Sequence, residues 1–198
     1  MKGLTTKQQE RLRAKIAAIR KTLATEKRKF GGYDDSRGLR YLPPELYIKL
    51  RDYKGGLTYL RWFQKNFPDD MGFPDFLFEW TLILFKNGKE KEAGQKALET
   101  WFSNTYFFDK FFGRPVEPID KYESSNLSTA AFTDFLSYSA GQPGLEDFTV
   151  WLGQLERSEK FLNRINRFLA LRKQLKTEDD RIKRMALLAE ERQLLEDY

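Results

Sequence analysis

Leu12, Ile16, Ile19 and Leu23 recur at spacings of four, three and four, the period of a single apolar stripe on an α-helix. Thr6 with Gln9 three residues on reads as a capping box at its start, and Gly31-Gly32 stop the helix near Phe30. Residues 33–42 then read as a polar linker, with Tyr33-Asp34-Asp35-Ser36-Arg37-Gly38 as loop chemistry. Pro43-Pro44 open a short helix through Leu46, Tyr47 and Leu50, since proline is tolerated in a first turn. A helix over Tyr53–Asn66 presents Leu57, Leu60 and Phe63 and is broken at Phe67-Pro68. The next opens at Pro74-Asp75 and carries Phe78, Trp80, Leu82, Leu84 and Phe85 to the Asn87-Gly88 turn, and Glu90–Phe102 follows it.

Beyond these lies an aromatic run, Trp101, Phe102, Tyr106, Phe107, Phe108, Phe111 and Phe112. Phe107/Phe111 and Phe108/Phe112 are four apart and share a face of a short helix. They read as core, with an exposed partner patch as the alternative. After a loop over 113–125, the pattern predicts a helix over Asn126–Ser139, an interruption at Gly141-Gln142-Pro143-Gly144, and one long helix with Leu145, Phe148, Leu152, Leu162, Phe168 and Leu175 inward. Thr177 with Asp180 reads as a second capping box launching a final helix through Ile182, Met185, Leu188 and Leu195. A connection this short folds the last two helices into an antiparallel hairpin.

Two segments match at an offset of thirty-seven residues. Asp52-Tyr53-Lys54-Gly55-Gly56 leads into Leu60, Phe63 and Pro68, and Gly88-Lys89-Glu90-Lys91-Glu92-Ala93 leads into Ala97 and Leu98. Each is a turn followed by a helix that opens on a small residue. Tyr53, Gly56, Leu60, Phe63 and Pro68, then Trp80, Leu84, Gly88, Ala93 and Ala97, resemble tetratricopeptide repeats over about residues 43–103. Pro43-Pro44 shorten the first helix, Asp69–Phe73 lengthen the connection, and no proline closes the second copy. The resemblance implies a right-handed α-solenoid that binds a peptide or a helix of a partner. Its groove would be lined from the first helix of each pair, by Lys49, Asp75, Glu79, Leu82 and Lys86. The expectation is an all-α protein of three parts: a basic N-terminal helix (1–32), a helical-repeat core (33–140) and a C-terminal antiparallel helical hairpin packed on that core (141–198).

Composition narrows the function. The 198 residues are 40% hydrophobic and 15% aromatic, enough for a core and against disorder. No apolar run approaches the roughly 20 residues that span a bilayer, and Met1–Gln8 holds no apolar signal core. A soluble cytoplasmic protein is expected, with no membrane contact. Cysteine and histidine are both absent. That removes disulfides, thiolate nucleophiles, the commonest metal ligand and the most usual general base, so neither catalytic residues, a metal nor a cofactor is implied and a non-enzyme is expected. Asp75 and Glu79 lie one turn apart, where carboxylates share a proton or a metal or merely complement the helix dipole.

The net charge of +6 is unevenly spread: residues 1–29 carry ten Lys or Arg against Glu10 and Glu26. Arg13, Lys21 and Arg28 on this helix, with Arg157, Lys160, Arg164 and Arg167 at spacings of three, four and three further on, form a candidate basic surface. It is a solvated face, or a contact for nucleic acid without sequence preference. The sequence therefore points first to a protein–protein interaction module, a scaffold or adaptor, and second to a nucleic-acid-associated protein.

Overall fold

The computed structural model describes residues 4–33, 35–196 and 198; Met1–Gly3, including the basic Lys2, and Asp34 of the expected linker lie outside them. Among the described residues there is no strand, and the protein is all-α. The chain divides into two compact units, Met1–Lys89 and Glu90–Tyr198.

The first unit opens with α1 (Thr6–Phe30), which buries only Ile16, Ile19 and Leu23. Its cap is Thr5, paired reciprocally with Gln8, one residue earlier than Thr6 and Gln9, and Gly31 closes it at a left-handed φ of 75°. Three helices follow: α2 (Pro43–Leu50), α3 (Tyr53–Asn66) and α4 (Pro74–Lys86). α2 packs against α1, α3 and α4. Asp52 caps α3 by accepting from the Gly55 N–H at 3.0 Å. At Gly56 α3 comes close to both α2 and α4, since a Cβ there would meet Ile83 Cδ1 at 3.0 Å and Tyr47 Cβ at 3.3 Å. α4 is buried on every side from Phe76 to Leu84. That fits its nearly unbroken apolar sequence, because a helix apolar all round belongs in the interior.

The described part of the expected polar linker is loop up to Gly38, and side-chain bonds tie it down. The buried Asp35 carboxylate accepts from the Leu39 N–H at 2.8 Å and the Arg40 N–H at 2.7 Å, organising a 3-10 turn over Leu39–Tyr41. Arg40 Nε donates to Asp70 Oδ2 at 2.7 Å, the Tyr41 hydroxyl donates to the same carboxylate at 2.7 Å, and the Tyr59 hydroxyl donates to the Arg40 carbonyl at 2.7 Å. Burial would raise the Asp70 carboxyl, but bonds from Tyr41, the Gly72 N–H and Arg40 outweigh it and leave it below its ordinary value. Burial, aided by Asp70, pushes the Tyr41 phenol up to about 12. Polar residues in a sequence read as loop when their partners lie thirty residues away.

The second unit holds α5 (Glu90–Ser103), α6 (Phe107–Phe112), α7 (Glu146–Glu156), α8 (Glu159–Thr177) and α9 (Arg181–Glu196). The aromatic run is core: Trp101, Phe102, Tyr106, Phe107, Phe108 and Phe111 are buried, and Phe102 stacks on Phe168 with centroids 4.1 Å apart. Two expected elements differ. Residues 126–139 form two short 3-10 turns, Asn126–Ser128 and Ala130–Phe135, with no α-helix. Ser128, Thr129 and Thr133 hydroxyls each donate to the carbonyl three residues back at 2.8 Å, a local alternative to the helical ladder. The long helix is also broken, because Ser158 adopts extended geometry (ψ 141°) and its hydroxyl caps α8 at the Phe161 N–H.

Candidate partner-binding surface

The five side chains expected to line a repeat groove do not form one open wall. Leu82 is fully buried and Glu79 nearly so. Lys49 is exposed and pairs with Glu45 at 2.5 Å, an ordinary one-turn pair on α2. Lys86 is half-buried with its ammonium 5.8 Å from the centre of the Tyr53 ring. Asp75 is half-buried in the first turn of α4, where burial, reinforced by the charge of Glu45, holds its carboxyl above the usual range. Asp75, Glu79, Leu82 and Lys86, at spacings of four, three and four, share one face of α4, and that face is closed by burial at Glu79 and Leu82, while Lys49 stands on α2. Among the described residues no group of three or more acidic side chains is placed to hold a metal ion.

The two halves of the basic surface meet different fates. On α8, Lys160 Nζ donates to the Tyr198 carbonyl at 2.6 Å, Arg164 Nη1 to the Leu194 carbonyl at 3.2 Å, and Arg167 pairs with Glu190 at 2.5 Å. Arg172, which sequence reasoning did not single out, is buried and pairs with Glu191 at 2.6 Å. From Lys160 to Arg167 the partners step back from Tyr198 to Glu190, so the hairpin is antiparallel and these cations are spent inside it. Arg157, at the break between α7 and α8, remains exposed. Burial raises the Glu191 carboxyl, with Arg172 opposing.

On α1 the outcome is the reverse. Arg13, Lys21 and Arg28 are exposed, and Lys21 and Arg28 have no ion-pair partner among the described residues. Arg13 reaches Asp52 at a loose 3.7 Å with its side chain 60% exposed. Lys27 Nζ donates to Asn66 Oδ1 at 3.0 Å and lies 4.9 Å from the centre of the Tyr33 ring. The partners advance together, Arg13 with Asp52 at the start of α3 and Lys27 with Asn66 at its end. α1 and α3 therefore run parallel and in register, touching through side chains.

A cleft opens between the Arg13–Arg20 part of α1 and the start of α3. Near Arg13 it encloses about 240 Å³, with Ile16, Ala17, Tyr47, Leu50 and Gly55 as an apolar floor and Arg13, Arg20 and Asp52 at the rim. Gly55 lets the Tyr47 ring and the Asp52 carboxylate pack against the first turn of α3, since a Cβ there would meet Asp52 Oδ2 at 2.6 Å and Tyr47 Cε1 at 2.8 Å. A second depression of about 500 Å³ lies beside the α8–α9 turn, but it mixes Lys183 with Glu178 and Glu190 and so presents no single charge. Arg20 and Lys27 escaped the sequence reading as a pair with Arg13. Their signal was a seven-residue spacing, 13, 20 and 27, which keeps side chains on one face of a helix.

Comparison with protein-family models, characterised proteins and solved structures finds no match for this chain. Among the described residues no helix is long and apolar enough to cross a membrane.

Proposed function

We propose that this protein is a protein–protein interaction module whose binding site is the cleft between α1 and α3, and that it takes an acidic segment of a partner protein. One observation carries the reading: exposed arginines 13 and 20 stand over an apolar floor that includes Ile16, Tyr47 and Leu50. Carboxylates of a partner meet the rim while its apolar side chains fill the floor, where most of the affinity of a small interface arises. The α2–α3 hairpin, closed on Gly56, supports the likeness to helical-repeat binding modules. A chain without His or Cys favours a binding role over catalysis, and a cytoplasmic setting goes with it.

The second reading is contact with nucleic acid. It draws on Lys7, Arg11, Lys15, Lys21, Arg28 and Lys29, all exposed and without an ion-pair partner among the described residues. Phosphate binding needs such charges but has no use for an apolar floor. The test is fluorescence anisotropy with three probes: two 20-residue peptides of equal negative charge, one with leucines and one with serines in their place, and a DNA oligonucleotide. The leucine peptide should bind the tightest, and Arg13→Glu with Arg20→Glu should abolish that binding. DNA binding that exceeds it and falls steeply with salt would replace the first reading by the second.

A further inference from the structure

The face of α1 that enters the cleft with Arg13, Ala17 and Arg20 continues beyond it as an exposed repeat, with Ala24 and Lys27. Cations recur every seven residues, about 10.5 Å apart at 1.5 Å per residue, and each gap between them is filled by an exposed alanine four residues after the cation. Alanine leaves a trough in the stripe deep enough for a neighbouring helix to approach closely, while the longer cations stand on either side of it. Across the cleft, Gly55 on α3 adds no side chain of its own, and the Tyr47 ring and the Asp52 carboxylate pack against it. The floor beneath, Tyr47 and Leu50, belongs to α2.

We infer that the occupant of this cleft is an amphipathic α-helix of a partner protein, with carboxylates seven residues apart and large apolar residues between them. The inference rests on the binding role proposed above and specifies its ligand. Charge complementarity selects acidic residues, since Arg13, Arg20 and Lys27 line the face at a single sign. Backbone chemistry selects a helix over an extended peptide. An extended segment gains its affinity by adding to a sheet edge with free N–H and C=O groups. Both walls here are helices whose backbone groups are already paired within each helix, so an extended ligand would gain no backbone hydrogen bonds from them and would keep its own with water. A helix satisfies its backbone internally and brings only side chains to the cleft. Its apolar residues then sit over Ala17 and Ala24, and its carboxylates between them meet the three cations.

The experiment uses the full chain, isotopically labelled, and blocked 21-residue peptides built from helix-forming residues. The first peptide has Glu at positions 4, 11 and 18 with Leu at 8 and 15. The second has the same composition with the Glu spacing scrambled. The third is the first with a central proline. The first should bind at least tenfold tighter than either of the others, and its amide shifts should map to α1 and α3. Ala17→Leu with Ala24→Leu fills the trough at exposed positions that fold without loss, and should cut the affinity for the first peptide about tenfold. Equal affinity for the first and second peptides, or indifference to the two leucines, overturns the helical occupant and leaves an unspecific acidic ligand. Failure of all three peptides to shift any resonance of α1 or α3 overturns the binding role of the cleft itself.

Discussion

α1 and α8 look alike as sequence, each an amphipathic helix with a basic stripe beside its apolar seam, yet they play opposite parts in the structure. α8 lies against α9, which runs antiparallel and brings Glu190, Glu191 and two backbone carbonyls to its cations. α1 lies beside α3, which runs parallel and offers only Asp52 at long range and the neutral Asn66. The contrast shows that a count of Lys and Arg does not mark a binding surface. What marks it is whether the neighbouring helix supplies acceptors. Only the helix whose neighbour fails to do so keeps its charge for another molecule.

The comparison breaks most sharply at Arg172. Arg172→Met leaves Glu191 half-buried with its charge uncompensated, a loss on the order of 3 kcal/mol when one partner of a buried pair is removed. Urea unfolding at neutral pH should show it, and the double variant Arg172→Met with Glu191→Leu should recover most of it. A wild-type midpoint in the single variant would mean that the α8 cations are as idle as those of α1.

A smaller effect is expected at Asp70, where the first unit does use a charge internally. The folded pKa of Asp70 lies below the unfolded value of about 3.9. Its contribution is therefore complete above that value and is lost as pH falls through the folded one. Asp70→Asn should cost about 1.5 kcal/mol at pH 7, the worth of a charge-assisted hydrogen bond. The gap between variant and wild type should close as unfolding is measured at progressively lower pH. A gap that stays constant down to pH 2 would remove Asp70 from the network.

The smallest effect belongs to α1. Arg13→Glu with Arg20→Glu should shift the melting temperature hardly at all, within about 0.5 kcal/mol, because exposed cations contribute little to stability. A large drop would show that these arginines hold the fold together as Arg172 does, and would end the distinction between the two helices.

Much of the fold was legible because each helix announces itself locally. The apolar period and the caps place α1, α3 and α4 to within a residue or so. The failures were non-local or chemically subtle. Asp35 makes its turn locally, through the Leu39 and Arg40 N–H groups, but what fixes that turn to the rest of the unit is Asp70, thirty residues on from Arg40, and nothing in the segment itself signals that. Ser128, Thr129 and Thr133 each turn the backbone towards their own hydroxyls, so an apolar period over 126–139 did not become a helix. The site was half legible. The unbroken apolar run of α4 already argued that Leu82 and Glu79 face inward, which a groove built on that helix overlooked. Arg13 was visible, but its partners Arg20 and Lys27 emerge only once α3 is seen to lie beside α1 in matching register.

That register has a consequence for the order of assembly. Parallel neighbours cannot be joined by a tight turn, so after Phe30 the chain must come back the length of seventeen helical residues, about 26 Å, before α3 can start beside Arg13. The return stroke is α2, the helix that both α1 and α3 lean on. α2, α3 and α4 are close in sequence and close their contacts at small entropic cost. α1 joins a surface that they have already built, and it brings only Ile16, Ile19 and Leu23 as buried anchors over twenty-five residues. On this account α1 is the last helix of its unit to dock and the first to detach, so the wall of the cleft that carries the charge is also the one that yields most easily to a ligand.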